Sequence, residues 1–227
     1  MSTQLELFFR PMKDIVVTVP LPHQLHEAGK VILNAFREEA VLSSFIDLSR
    51  KSARESYYQV LKLKLALYHE AGHPLFTALS DGRVVGAVIL NSPHVHISRG
   101  RLFRKALPSL PRMLGLLPYS IRAMRLGNLV RPPANLPETH YTLELLAVHR
   151  LHQGKGVGRL LLEHIARFCS ADQTASGIYL LTGDEKNRAL YEKFGYRLWE
   201  SRQGGLLPST ICSWKTAARF AGSRVLC

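Results

Sequence analysis

Two short segments contain the glycines and side chains that could do chemistry, and the first begins 34 residues before the second. The first is Gln153–Gly158, with the sequence Gln-Gly-Lys-Gly-Val-Gly, and the second is Asn187–Tyr196. Glycines at 154, 156 and 158 let the backbone turn sharply and approach a bulky ligand. A helix is predicted directly after them, and its first free N–H groups are donors, so this segment is suited to a phosphate or pyrophosphate.

The elements on either side of the glycines support an anion site. The apolar segment Leu143–Val148 predicts a strand that leads into the turn. Lys155 and Arg159 add mobile positive charge beside the backbone donors. Apolar residues then recur at helical spacing and predict an amphipathic helix that packs on a sheet: Val157, Leu160, Leu161, Ile165 and Phe168.

Two familiar phosphate motifs do not fit the glycine segment. A P-loop needs Ser or Thr after Gly-Lys, but Gly156 follows Lys155, so no hydroxyl is placed for magnesium. A dinucleotide fingerprint needs its third glycine at the position that Arg159 occupies, and an acidic residue after a second strand about twenty residues further on. Neither is present, so a different kind of phosphate site is indicated.

The second segment places two polar side chains on one helix face. Asn187 and Tyr191 are four residues apart on a predicted helix that ends at Gly195, so one ligand could contact both. A phenol with a reference pKa near 10 is protonated at neutral pH and can act as an acid. The competing interpretation is that Tyr191 is a core aromatic beside Leu190 and Phe194.

Together the motifs resemble those of a known superfamily. The pattern Gln-x-x-Gly-x-Gly after an apolar strand, followed by Asn-Arg-Ala-Leu-Tyr-Glu-Lys-Phe-Gly-Tyr, resembles the GNAT superfamily of acyl-CoA N-acyltransferases. Within it, the chain is most similar to the puromycin N-acetyltransferase-like branch. The resemblance is specific over residues 139 to 200 and looser over residues 24 to 91.

The resemblance implies a role for each part of the motifs. Asn187 would hydrogen-bond the pantetheine arm of CoA, and Tyr191 would lie near the sulfur and protonate the departing thiolate. The strand before the turn splays from its neighbour in this superfamily, so Leu146, Ala147 and Val148 would bind pantetheine through their backbone. No metal is needed, because the thioester is already activated. The loop that would hold the CoA pyrophosphate consists of Gln153, Gly154, Lys155, Gly156, Val157, Gly158 and Arg159.

A general base is harder to identify. An alkylamine is protonated at pH 7, so the enzyme must accept a proton before the nitrogen attacks. Glu144 is the single charged residue of the apolar strand, and a carboxylate on a covered strand needs a partner or a function. We predict Glu144 as the base. The alternatives are a structural carboxylate paired with an arginine, an ordered water, or one of His140, Tyr141 and His149 as the base.

The remaining pattern predicts an α/β (α+β) fold, and the resemblance implies that it is of the GNAT type. A mixed central sheet of about seven strands would be flanked by helices, within a single domain spanning residues 1–218. Residues 219–227 are predicted to form a poorly ordered tail. The hairpin signal Asp81-Gly82-Arg83 joins two of the strands. Helices are predicted at 23–38 and 49–71, and the other strands at 15–19, 75–80, 84–91, 177–182, 195–201 and 209–215.

Residues 92–137 form an insertion of unusual composition just before the acyl-CoA-binding strand. No Asp or Glu occurs from Gly82 to Pro137, while nine Lys and Arg residues do, interleaved with Leu and Met and broken by prolines. Two or three short amphipathic helices are predicted. We expect a lid and pocket wall; an acidic partner such as a carrier protein or peptide, an anionic membrane surface and a solvated basic face are the alternatives.

Composition narrows the protein class. The formal net charge is +13, but no recognised nucleic-acid motif accompanies it, so nucleic acid is not the expected partner. Three cysteines at no metal spacing, and the lack of a signal-peptide pattern or a transmembrane segment, predict a cytoplasmic enzyme. The sequence leaves the oligomeric state open.

The expected activity is N-acyl transfer. The first hypothesis is transfer of acetyl from acetyl-CoA to a primary amine of a small molecule, by direct attack on the thioester. The second is transfer of a longer acyl group onto a Lys or ornithine side chain of a peptide, with the insertion enclosing the acyl chain. The third is a CoA-binding sensor without catalysis. The acceptor itself is not identified by the sequence.

Overall fold

The computed structural model describes residues 15–37, 39–120, 132–204 and 207–216. Seven strands form one sheet in the order β1-β2-β3-β4-β5-β7-β6, with β4 and β5 parallel and the other neighbours antiparallel. The predicted mixed sheet is therefore confirmed. The strands are β1 Val16–Thr18, β2 Leu75–Ser80, β3 Arg83–Asn91, β4 His140–Val148, β5 Gly177–Thr182, β6 Arg197–Gly204 and β7 Leu207–Thr216.

The long third helix ends at a residue suited to that position. Gly72 follows the long third helix with φ 85°, a left-handed conformation that glycine adopts without strain. Predicted helices 23–38 and 49–71 match the observed bounds within two residues, whereas the six-residue second helix was not predicted. The helices are α1 Gln24–Phe36, α2 Ala40–Phe45, α3 Lys51–Ala71, α4 Arg99–Ala106, α5 Leu110–Met113, α6 Val157–Ser170 and α7 Glu185–Lys193.

The alternation of side chains along β3 divides the core into two layers. Val88 and Leu90 face the cluster that contains Leu161 and Ile165 of α6. Ala87 and Ile89 face the cluster formed with α1 and α3. Successive side chains of a strand point to opposite faces, so the run of buried residues in β3 requires helices on both sides.

The hairpin and the central splay are the two features of the sheet that matter for the site. Asp81 and Gly82 have φ of 48° and 72°, so the predicted Asp-Gly hairpin between β2 and β3 is confirmed. β4 pairs with β3 as far as Val148, but its ladder with β5 ends at Leu143 opposite Leu180. From Glu144 onward, the two parallel strands diverge and leave one edge of β4 open.

The described part of the insertion is a helical run along the outer side of α3. It comprises α4, α5 and the 3-10 turns Leu107–Ser109 and Leu114–Tyr119. Lys105 Nζ donates to Glu70 Oε1 at 2.6 Å. A Cβ at Gly115 would lie 2.6 Å from the Ser52 carbonyl oxygen, so the close approach of this run to α3 requires glycine. The predicted short helices are found here, while residues 121–131 and the predicted tail 219–227 lie outside the described residues.

Candidate functional site

A cleft of about 1140 Å³ opens where β4 and β5 diverge, and both sequence motifs lie on it. One wall, here called the donor wall, consists of the ends of β4 and β5, the glycine turn, and residues of α6 and α7. The other wall, the acceptor wall, consists of Ala35, Phe36, Glu39, Val41, Leu42 and Phe45 of α1, α2 and their junction, with Tyr57 and Lys64 of α3. The predicted site residues that line the cleft are Glu144, Leu146, Ala147, Val148, Gln153, Gly154, Gly156, Val157, Gly158, Arg159, Asn187 and Tyr191.

The glycine turn presents an uncapped helix start to the cleft. Gly154 and Gly156 have φ of 72° and 83°, which side-chain-bearing residues rarely adopt. Gly156 precedes α6 and offers no side-chain acceptor, and the first backward helical bond runs from Leu160 N to Gly156 O at 3.0 Å. The N–H groups of Val157 to Arg159 precede that bond, so they are available to an anion.

The last glycine of the motif is not required by the fold. Gly158 lies in the first turn of α6 and faces the cleft. A Cβ there would meet only Val148 Cγ2, at an ordinary 3.7 Å. The protein itself would therefore tolerate a larger residue, and a closely approaching ligand is the better explanation for glycine.

The charged residues of the turn contribute unequally. Lys155 is exposed and is absent from the cleft lining, so its predicted cofactor contact stays a prediction. Arg159 lines the cleft but its Nε also donates to Glu163 Oε1 at 2.7 Å. Gln153 Nε2 donates to Val148 O at 3.0 Å and fastens the turn to the end of β4. The side chain of Gln153 is thus a structural tie as well as part of the lining.

The helix α7 brings the second motif to the same cleft. Asp184 accepts from Lys186 N at 2.8 Å and caps the helix. Asn187 Nδ2 donates to Thr182 Oγ1 at 3.5 Å, and Tyr191 lies one turn further on the same face. Burial, together with the negative charge of Glu39, raises the pKa of Tyr191 to about 12. Its phenol is therefore a proton donor at neutral pH.

Tyr191 also satisfies the competing interpretation in part. Its ring packs against the core cluster and meets Tyr196 edge to face with 5.6 Å between ring centroids. It nevertheless lines the cleft and is only partly buried. A ring held by the core with an edge on the cleft is well placed to hold a reacting group in a fixed position.

Glu144 lies at the splay as half of an ion pair. Lys64 Nζ donates to Glu144 Oε2 at 2.7 Å, and the carboxylate side chain is 26% exposed. The alternative interpretation, a structural carboxylate paired with an arginine, named the wrong residue type, because the partner of Glu144 is a lysine of α3. The Glu144 charge adds to burial in raising the pKa of Tyr68.

The other candidates for a general base do not line the cleft. Tyr141 Oη donates to Asp172 Oδ2 at 2.9 Å on the α6 side of the sheet, and burial raises the pKa of this phenol. His149 Nδ1 accepts from Leu151 N at 3.3 Å. His140 lies at the opposite end of β4 from the splay. Of the four residues considered, Glu144 alone lines the cleft.

The acceptor wall contains residues that sequence reasoning missed. Glu39 Oε2 accepts from Leu42 N at 2.7 Å and caps α2. Burial, with the Glu39 charge second, raises the pKa of Tyr57 to about 12. Helix 1 was predicted to run through residue 38, and Glu is an uncommon N-cap, so nothing in the sequence marked the break. The apolar part of this wall is formed by Ala35, Phe36, Val41, Leu42 and Phe45.

His152 also lines the cleft, although the sequence motifs did not indicate it. Its Nδ1 is buried and has no hydrogen-bond partner among the described residues. Burial, then the charges of Lys155 and His149, lower its pKa, so the ring is neutral at pH 7. Its position in the turn between β4 and the glycines gives no sequence signal that distinguishes it from a surface histidine.

The insertion does not form the expected pocket wall over its described residues, none of which lines the cleft. The expectation of a lid is wrong for this part because the helical run packs on α3. Leu116 and Tyr119 pack with Phe36, Phe45 and Tyr57. The described part of the insertion therefore supports the helices of the acceptor wall from behind.

The part of the chain that the structure describes contains neither a side-chain cluster suited to a metal ion nor a membrane-spanning helix. No three His, Cys, Asp or Glu side chains there are grouped to hold a metal ion. Across the same residues, no helix is both long enough and apolar enough to cross a membrane.

Solved structures of other proteins share this fold. A Corynebacterium glutamicum structure described as histone acetyltransferase HPA2 and related acetyltransferase is 16% identical, with TM-score 0.65 and coverage of 88% of this chain and 95% of that one. A polyamine N-acetyltransferase of Drosophila melanogaster, which forms N-acetylagmatine, is 16% identical, with TM-score 0.54 and coverage of 89% and 100%. The Escherichia coli ribosomal protein S18 alanine N-acetyltransferase is 13% identical, with TM-score 0.52 and coverage of 90% and 94%. At these identities the likeness shows the fold.

No curated protein matches the sequence. The model of the acetyltransferase (GNAT) family, however, matches residues 34–196, which include the splay, the glycine turn and α7. That match spans more than half of the chain, whereas the branch within the family stays a prediction. The chain belongs to the GNAT acetyltransferase family.

Proposed function

We propose that this protein transfers an acetyl group from acetyl-CoA to a primary amine by direct attack of the amine on the thioester. The observation that carries the proposal is the convergence of three features on one cleft: the uncapped start of α6, the open edge of β4, and the Asn187–Tyr191 face of α7. A CoA thioester needs a site whose N–H groups bind phosphate, a strand edge that binds its amides, and a proton donor for its sulfur.

The donor wall fits the chemical groups of CoA in order. The N–H groups at the start of α6 and the Arg159 guanidinium would hold the pyrophosphate. The open edge at Leu146 to Val148 would bond the amides of pantetheine, and Asn187 would position the arm. Acetyl-CoA supplies an already activated thioester, so the described residues need only orient it and manage protons.

Two residues would handle the protons. Tyr191 would give its phenolic proton to the departing sulfur, and its raised pKa keeps that proton available at neutral pH. Glu144 would accept the proton of the attacking amine, directly or through water. Lys64 holds the carboxylate at the splay, where the strands diverge and the reacting carbonyl would lie.

The acceptor wall supports an amine substrate. Glu39 places a carboxylate among the apolar residues of α1 and α2, an arrangement suited to a cationic group on an otherwise apolar molecule. The Drosophila melanogaster polyamine N-acetyltransferase of the same fold acts on an amine, which agrees with this class of acceptor. Glu39 and Glu144 would then attract the amine before its deprotonation.

The activity is tested by incubating the protein with acetyl-CoA and a panel of amines and recording the free thiol released. We expect release that depends on one class of amine and on the enzyme. Tight CoA binding with no release above background for any amine would favour the CoA-binding sensor instead.

A longer acyl group is the second candidate, because the acceptor wall includes the apolar residues Ala35, Phe36, Val41, Leu42 and Phe45. Thermal stabilisation by acetyl-CoA and by CoA thioesters of increasing chain length separates the two cases. Stabilisation that stops increasing at acetyl supports an acetyltransferase. Thermal stabilisation that increases steadily with chain length would instead support a long-chain acyltransferase.

A further inference from the structure

The helical run Arg99–Tyr119 leaves a row of large apolar side chains exposed. These side chains, here called the outer stripe, follow one another at intervals of four, three, four and three residues. Such spacing keeps side chains on one side of a helix. The outer stripe and its exposed fractions are Phe103 65%, Leu107 52%, Leu110 46%, Leu114 58% and Leu117 63%.

The run is continuous enough for the stripe to form a single surface. At the junctions between α4, α5 and the 3-10 turns, Leu107, Leu110 and Leu114 all keep right-handed helical dihedral angles. The partly buried residues of the run include Met113 and Leu116, each one position before a stripe residue. The run therefore has one side on the protein and another that is apolar and exposed.

Positive charge accompanies the stripe, and negative charge does not. Residues 99–120 contain four arginines and one lysine and neither Asp nor Glu. Lys105 is held by Glu70 of α3, whereas Arg99, Arg101, Arg104 and Arg112 are exposed. A surface that combines exposed Phe and Leu with exposed arginines is complementary to a partner with an anionic surface layer and an apolar interior.

We infer that the outer stripe and its arginines dock this protein on an anionic phospholipid surface. The Phe and Leu side chains would enter the boundary of the acyl chains, while the arginines reach the phosphates. A second copy of the chain fits poorly, because the same basic face would oppose itself. The stripe is also a ridge rather than a groove, so it fits a broad surface better than a partner helix.

The docking would have a geometric consequence for the cleft. Helix α3 contacts the run through Ser56 and Glu70 and lines the acceptor wall with Tyr57 and Lys64. A chain docked through the stripe would therefore have α3 between the bilayer and the cleft. The inference does not depend on the proposed acetyl transfer, since it rests on the surface of the run alone.

The test is sedimentation of the full chain with vesicles of phosphatidylcholine alone and of phosphatidylcholine mixed with phosphatidylglycerol. The stripe variant combines Phe103→Ser, Leu107→Gln and Leu114→Gln. A matched control combines Leu21→Gln, Leu151→Gln and Leu198→Gln, which replace exposed leucines elsewhere. We expect binding to the anionic vesicles only, reduced about tenfold or more in the stripe variant and unchanged in the control.

A charge variant keeps the inference testable if the stripe variant does not fold. Arg101→Gln with Arg104→Gln leaves the apolar side chains in place and should weaken binding to anionic vesicles, with a smaller dependence on salt. No binding to anionic vesicles, or binding that neither variant reduces, would overturn the inference. Two other results would also overturn the inference. One is a dimer that the same substitutions abolish, and the other is binding to an acidic helical peptide, without vesicles, that they abolish.

Discussion

The two walls of the cleft are built in different ways. The donor wall comes from a nearly contiguous part of the chain, and its main groups are backbone N–H and C=O at the glycine turn and the open edge of β4. The acceptor wall is assembled from side chains of α1, α2 and α3. The donor wall thus depends on backbone conformation, which glycines and strand ends specify locally, whereas the acceptor wall depends on how separate helices pack.

That difference predicts separate effects of substitution. Changes in the donor wall should alter CoA binding or the chemical step, and changes in the acceptor wall should alter recognition of the amine. Tyr191 and Tyr57 make the comparison direct, because burial and Glu39 raise the pKa of each to about 12 although the two belong to different walls.

The largest effect is expected for Tyr191→Phe. Loss of the proton donor should lower kcat by about 100-fold or more, the usual contribution of a general acid, with little change in CoA affinity. Steady-state rates and CoA titration measure the two quantities. Tyr57→Phe is the matched control and should keep kcat within a few-fold. Equal losses in both variants would remove the distinction between the walls.

The dependence of the rate on pH also tests the role of Tyr191. Because the pKa of Tyr191 is raised to about 12, its proton is present throughout the neutral range and is lost only as the pH rises toward that value. The wild-type rate should therefore show no decline due to Tyr191 between pH 7 and pH 9. A decline in this range that Tyr191→Phe abolishes would contradict the assignment.

A smaller effect is expected for Gly156→Ala. The left-handed φ of 83° imposes strain of about 1 to 2 kcal/mol on alanine, and any relaxation of the turn moves the N–H donors. Affinity for CoA should fall about tenfold, about 1.4 kcal/mol. Gly72→Ala, with φ 85° at the end of α3, should lose similar stability and no CoA affinity. Calorimetric titration and thermal melting compare them.

Next in size is Glu39→Gln on the acceptor wall. The amide oxygen can still cap α2, so the substitution removes charge and keeps the fold. KM for the amine should rise about three- to tenfold, in line with the loss of one partly exposed charge contact, while CoA affinity is unchanged. Glu55→Gln on an exposed part of α3 is the control. A KM that rises no more for Glu39→Gln than for the control would exclude a specific role for Glu39.

The smallest effect is expected away from both walls. Asp172 accepts from Thr174, His94 and Tyr141, and these bonds, the Thr174 hydroxyl foremost, hold the pKa of its carboxyl well below the usual range. A depressed carboxyl pKa stabilises the fold above pH 4 and loses that contribution as the pH falls. Asp172→Asn should lower Tm by about 2 to 4 °C at pH 7. The difference from wild type should shrink at pH 3.

The sequence predicted the donor wall and the sheet well for a physical reason. The left-handed conformations at positions 154 and 156 favour glycine, so the sequence marks this turn locally. Asn187 and Tyr191 share a helix face because they are four residues apart. The alternation along β3 and the Asp81-Gly82 turn likewise act over a few residues. The bounds of α1 and α3 follow from such local patterns, whereas the order of the strands in the sheet was not predicted.

The acceptor wall could not be predicted in the same way. Glu39 acts at a break between α1 and α2 that the helical pattern did not reveal, and the Lys64–Glu144 pair joins residues 80 positions apart. The insertion was assigned to the cleft from its place in the chain, but its closeness to α3 at Gly115 puts its described part on the far side. Contacts between distant segments decided each of these outcomes.

Hydrogen–deuterium exchange with and without CoA tests the division of the cleft most directly. We expect slower exchange at Val157 to Arg159, where free N–H groups would bond phosphate, and at the open edge of β4 from Glu144 to Val148. Exchange in α1 to α3 should change little until an amine is added. Unchanged exchange at the glycine turn, or the largest slowing in the run from Arg99 to Tyr119, would contradict the assignment of CoA to the donor wall.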